Sequence, residues 1–332
     1  MKIPGPMSDR ALEPVDQLAM ESAALLYVVA IAATAQCSGW HYVLFPAVAA
    51  LSHDVLTRPW GKWATQPIQL VIVPTLAAGM GTLIAQRFGY HVWTVLLVVA
   101  LCLFLLAAVK SNIAPAIAAG MLPLVLGITN WRYPASVMLG LAALVLLLLA
   151  WRRYCETKYR AVFDNAKRGD LDELPEKGLG TRWILPYFLF LAIMALGATA
   201  SGLRLILFPP LAVIAYEMFA HPKSCPWAQK SGKLPVACLL TSTAGWLCVS
   251  VFGNSGVAAG CSMAAGIVVL RILQIRMPPA LAVGILPLII KSADVKYPIA
   301  VGIGATALML AFLLYRRWLV DQGRTDRNGS KI

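Results

Sequence analysis

The chain has 332 residues, 59% hydrophobic and 13% charged, with mean hydropathy +0.73. A soluble domain averages about 45–50% apolar and about 25% charged residues, so this composition excludes one water-soluble core and predicts an all-α polytopic membrane protein. The formal net charge of +13 does not point to nucleic acid, because no basic stripe with interleaved aromatics lies outside the apolar segments.

Residues 1–19 form a polar tail with no short apolar core and cleavage site, so no cleaved signal peptide is expected. Six hydrophobic segments follow, at about 20–37, 40–57, 67–86, 91–109, 113–129 and 134–151. The second opens on Phe45-Pro46 and carries Asp54 four residues before Arg58, the spacing of an ion pair along a helix. Lys110-Ser111-Asn112 precedes the fifth, which holds Pro115 and Pro123. If a helix begins there, its backbone N–H groups and positive dipole suit a small anion. Residues 152–183 form a charged linker outside the bilayer, with a weak amphipathic pattern at Tyr154, Tyr159, Val162 and Phe163.

Six further segments lie at about 186–202, 205–220, 234–252, 255–273, 278–293 and 298–315, followed by a tail, 319–332. The second of these opens on Phe208-Pro209-Pro210 and carries Glu217 four residues before His221. The fifth opens on Pro278-Pro279, just after Arg276. In both series the second and fifth segments are short and proline-led. They read as short spans, broken helices or re-entrant hairpins.

The two series repeat each other. Residues 115–127 and 279–291 agree at seven of thirteen positions at an offset of 164. "FPAVAALSHDVLTRP" (45–59) aligns with "FPPLAVIAYEMFAHP" (208–222) at an offset of 163. Asp54 thereby pairs with Glu217, and Ser38 with Ser201. The expected architecture is two homologous membrane repeats, 20–151 and 184–318. With six crossings each, 23 of the 28 Lys and Arg fall on the side of the N-terminus. The positive-inside rule makes that side cytoplasmic. An even number of crossings makes the repeats parallel. The expected location is a bacterial-type inner membrane, multi-pass, with both termini cytoplasmic.

"FPPLAVIAYEMFAHPKSCPWAQ" (208–229) resembles the stretch of HPP-family membrane proteins in which an A-P-x-G-A-like helix precedes a proline-containing loop and an A-Q-P motif. "RMPPALAVGILPL" (276–288) is similar to that family's H-P-P-A-G-A-T-A-L segment. The resemblance covers each half, so the chain looks like a tandem HPP protein. Met277 stands where the family has His, Ala114 where it has the first Pro, and Ala118 and Ala282 near its hydroxyl residue. Only parts of A-Q-P persist, as Gln66-Pro67 and Ala228-Gln229. Some members are implicated in nitrite transport, so the resemblance implies a permease for a small anion.

Proline-interrupted helices at matching places in two repeats mark a transporter binding site. The candidate substrate positions are therefore Pro46, Ser111, Asn112, Pro115, Pro209, Pro210, Arg276, Pro278 and Pro279, between the repeats. Asp54, Arg58, Glu217 and His221 are candidates for coupling, to protons for example, or gating, since ionisable residues in spans are functional by default. Two alternatives stand: a cation or neutral-solute transporter using Asp54 and Glu217, or a non-transporting accessory subunit. The seven cysteines have no C-x-x-C spacing, and the four histidines fall in no catalytic motif. No enzyme activity, metal or cofactor is expected. The expected partners are the lipid bilayer and a small-molecule or ion substrate; the sequence leaves a homo-oligomer open.

Overall fold

The computed structural model describes residues 14–170, 180–290 and 294–329, with side chains for 17–156, 180–290 and 294–319. All regular structure among them is helical. The order is α1 (Pro14–Ser38), a 3-10 turn (His41–Leu44), α2 (Ala47–Thr57), α3 (Pro67–Phe88), α4 (Val92–Ala108), α5 (Pro115–Leu126) and α6 (Arg132–Asp170). There follow α7 (Ile184–Ser201), a 3-10 turn (Arg204–Leu207), α8 (Pro209–Ala220), a short α9 (Pro226–Gln229), α10 (Leu234–Phe252), α11 (Gly256–Leu273), α12 (Pro279–Ile285) and α13 (Lys296–Gly329). Residues 152–170 continue α6 instead of forming a separate surface helix. Tyr159, Val162 and Phe163 lie outside the residues described at side-chain level.

Among the described residues, seven helices are long and apolar enough to cross a membrane: α1, α3, α6, α7, α10, α11 and α13. Five shorter apolar helices accompany them: α2, α4, α5, α8 and α12 with its final turn. The long helices turn large apolar side chains outward as well as inward. Leu185 is 76% exposed and Ile272 75%. A helix that is apolar all round suits lipid, where outward Leu and Ile need no polar cover.

Prolines open the short helices more than they break them. Pro209 and Pro210 occupy the first turn of α8, Pro115 that of α5 and Pro279 that of α12, while Pro46 and Pro278 stand one residue ahead of their helices. A first-turn N–H has no intrahelical partner, so proline loses nothing there. Pro123 is different, because it lies inside α5 and leaves the carbonyl four residues back, on Ala119, without its N–H. The Tyr133 hydroxyl donates to that carbonyl at 2.8 Å. Pro287 strips Val283 in the same way, and the Tyr297 hydroxyl donates there.

Other contacts recur at the same spacing along the chain. A Cβ on Gly81 would lie 1.9 Å from the Gly120 carbonyl oxygen, and one on Gly245 1.9 Å from that of Gly284. Backbones cross this closely only where both partners lack side chains. Gln66 and Gln69 donate to the Lys110 and Val109 carbonyls at the end of α4, while Lys230 and Lys233 donate to those of Gln274 and Leu273 at the end of α11. Ser38 and Ser201 each donate to a carbonyl four residues back and accept the N–H two residues on. They finish α1 and α7, and both are exposed.

One end of the molecule gathers the described beginning and end of the linker, residues 152–156 and 180–183, and most of the described ion pairs. There the Trp151 indole donates to Leu56 O, and Arg152 donates to the carbonyls of Pro59 and Ala64, pinning the α2–α3 loop. At the same end Tyr315 donates to Phe219 O and Arg271 pairs with Glu21 at 2.7 Å.

Candidate functional site

A cleft of about 220 Å³ opens at this linker end. Its walls come from five places in the chain: Lys62 of the α2–α3 loop, Leu106 of α4, Ser111, Asn112 and Ala114 leading into α5, Trp183 ahead of α7, and Tyr216, Ala220 and His221 at the end of α8. Drug-sized ligands occupy pockets of about 300–1,000 Å³, so this cleft suits a smaller solute.

Local structure sets each polar group. Asn112 is held by the Gln66 side chain, whose oxygen accepts the Asn112 N–H at 3.1 Å while its amide donates to Lys110 O. Ser111 is buried, and its hydroxyl accepts the Ile113 N–H. Lys62 rides on the loop that Arg152 fixes. Trp183 packs edge-on against Tyr216, which packs edge-on against His221.

Glu217 sits buried behind this wall. Its Oε2 lies 3.6 Å from Lys62 Nζ and 3.2 Å from His221 Nδ1. Asp54 holds the matching place on α2, also buried, and pairs with Arg58. In each helix the basic residue's own N–H caps the acid's carbonyl, Arg58 to Asp54 O and His221 to Glu217 O. The i, i+4 pairs expected from the sequence are thus present. They differ in setting, since both bases beside Glu217, Lys62 and His221, line the cleft, whereas Arg58, the base beside Asp54, does not.

The expected substrate positions divide into three groups. Ser111 and Asn112 line the cleft, and Pro115, next to the lining residue Ala114, is buried and does not line it. Pro46, Pro209 and Pro210 meet one another, together with Ala118, Ala119 and Tyr133, around a cavity of about 10 Å³. That holds about one water, so the proline junction is packed shut. Pro278 and Pro279 are buried in the start of α12 and Arg276 is exposed beside them, none of them lining either cavity.

Lys62, Trp183 and Tyr216 escape sequence reasoning. Lys62 has no counterpart in the second repeat, where its place falls at Cys225 and Pro226. A base present in one copy alone, beside a duplicated acid, was the available signal.

Compared with known proteins, the chain matches no family model, no curated protein and no solved structure. Fold and site together define a class: an all-helical protein whose long apolar helices suit a bilayer, with a small polar cleft at one end.

Proposed function

We propose that the protein is a permease for a small solute, most simply a small anion, in which two parallel repeats enclose the site between them. The cleft carries this reading. It joins Lys62, Ser111 and Asn112 from before the linker to Tyr216 and His221 from after it, with Trp183 at the linker's last position. An ammonium, a hydroxyl and an amide are donors that suit a small anion. The resemblance to HPP proteins points to the same substrate class.

Several observations support parallel six-segment repeats. The 3-10 turn His41–Leu44 and α2, with the link between them, have a summed length of roughly 30 Å, the upper limit of their reach and the length of one broken crossing. Trp151 of α6 and Tyr315 of α13 meet Leu56 and Phe219, near the ends of α2 and α8, at one face. The preponderance of Lys and Arg at that face supports its being cytoplasmic in an inner membrane, with both termini and the linker there.

Cation transport on the paired acids has less support, because Asp54 and Glu217 each already have a base within ion-pair distance. Purified protein in liposomes tests the reading with nitrite, nitrate and formate. Protein-dependent passage of at least one is expected. Passage of none, with cations passing, favours the cation alternative, and passage of nothing favours an accessory subunit.

A further inference from the structure

Lys62 faces two ways. It lines the cleft beside Ser111 and Asn112, and its Nζ lies 3.6 Å from Glu217 Oε2. The carboxylate is buried, and the other base within reach is His221, which also lines the cleft. Tyr216 stands beside Glu217 on α8, and Cys225 follows in the next loop, where burial pushes the thiol well above its ordinary range and keeps it neutral. Ser111, Asn112 and Trp183, which face the site from the other elements, carry no charge. Among the described residues, the charge balance at the cleft therefore turns on Lys62, Glu217 and His221.

Resting on the permease reading, we propose that Lys62 is the anion-recognising residue and that Glu217 carries one co-transported proton for each anion. A monovalent anion entering beside Ser111 and Asn112 draws the ammonium away from Glu217. A buried carboxylate that has lost its cation is costly, so Glu217 takes up a proton, which reaches it from the cleft past His221. One negative and one positive charge enter together and no electrons move. The loaded site has the same net charge as the empty one, where Lys62 and Glu217 neutralise each other. The cargo crosses as a neutral pair, driven by a pH gradient and indifferent to membrane potential.

Full-length protein in liposomes, with the potential clamped at zero, tests this with nitrate, nitrite and formate, against protein-free vesicles. Nitrate is the sharpest probe because its acid is strong and leaks little as a neutral molecule. With the outside more acid by one pH unit, nitrate is expected to concentrate inside about tenfold at steady state, with equal proton uptake by an internal dye. Glu217→Gln is expected to bring that ratio to about one. Lys62→Gln is expected to slow uptake at least tenfold, and Lys62→Arg to retain accumulation. Anions that merely equilibrate through the wild type under the gradient overturn proton coupling and leave the permease standing. Accumulation by Glu217→Gln equal to wild type overturns the role of Glu217. No protein-dependent passage of any of the three anions overturns the permease reading and this one with it. The wild-type outcomes need no variant, so a variant that fails to fold leaves the test intact.

Discussion

Pro123 and Tyr133 form a unit that neither residue forms alone. The proline withholds an N–H from Ala119 O and the tyrosine replaces it. Tyr133→Phe leaves that carbonyl buried and unpaired, which costs about 1–3 kcal/mol. Thermal unfolding in detergent should show the loss. Adding Pro123→Ala should recover most of it, because an alanine in place of the proline supplies the missing N–H. Lys62 and Glu217 behave differently, since each is the other's charge. Lys62→Met strands Glu217 with His221 alone and is expected to cost about 3 kcal/mol. Lys62→Met combined with Glu217→Gln should cost less than Lys62→Met alone, and a double-mutant cycle measures the difference.

At the scale of elements, the glycine crossings decide how α3 meets α5 and α10 meets α12. Gly81→Ala and Gly245→Ala each place a methyl 1.9 Å from a backbone oxygen, which no side-chain rotation relieves. Both variants should fail to yield a monodisperse protein by size exclusion. Gly197→Ala in α7, with nothing within 4 Å of the new Cβ, should behave as wild type. The proline-led segments were legible in the sequence as short, and the helices that fill them are short. What the sequence left open was whether their prolines face a cavity. In the structure those prolines open helices inside packed protein, because a helix start tolerates proline without losing a hydrogen bond.

For the whole molecule, the arrangement of the repeats decides topology. The proposed parallel repeats place Arg153 and Arg317 at one face. Cysteines at these two positions, in a background with the exposed Cys37 and Cys261 replaced, should be labelled by an impermeant reagent from the same side. Labelling from opposite sides contradicts the parallel arrangement. Among the described residues, the ion pairs Lys62–Glu217 and Arg271–Glu21, which join distant parts of the chain, also lie at the linker end.

The sequence by itself determined an all-helical chain too apolar for water, the positions of its proline-led segments, and the two acids that stand four residues before a base. These are local properties, carried by composition, by spacing along one helix and by residues recurring at a fixed offset. Only the tertiary structure decided that the bases beside Glu217 line a cleft while the base beside Asp54 does not, and that Lys62 is the partner that sets the two acids apart. A charge pair between a loop and a distant helix depends on how the helices between them pack. No periodicity in the chain records that distance.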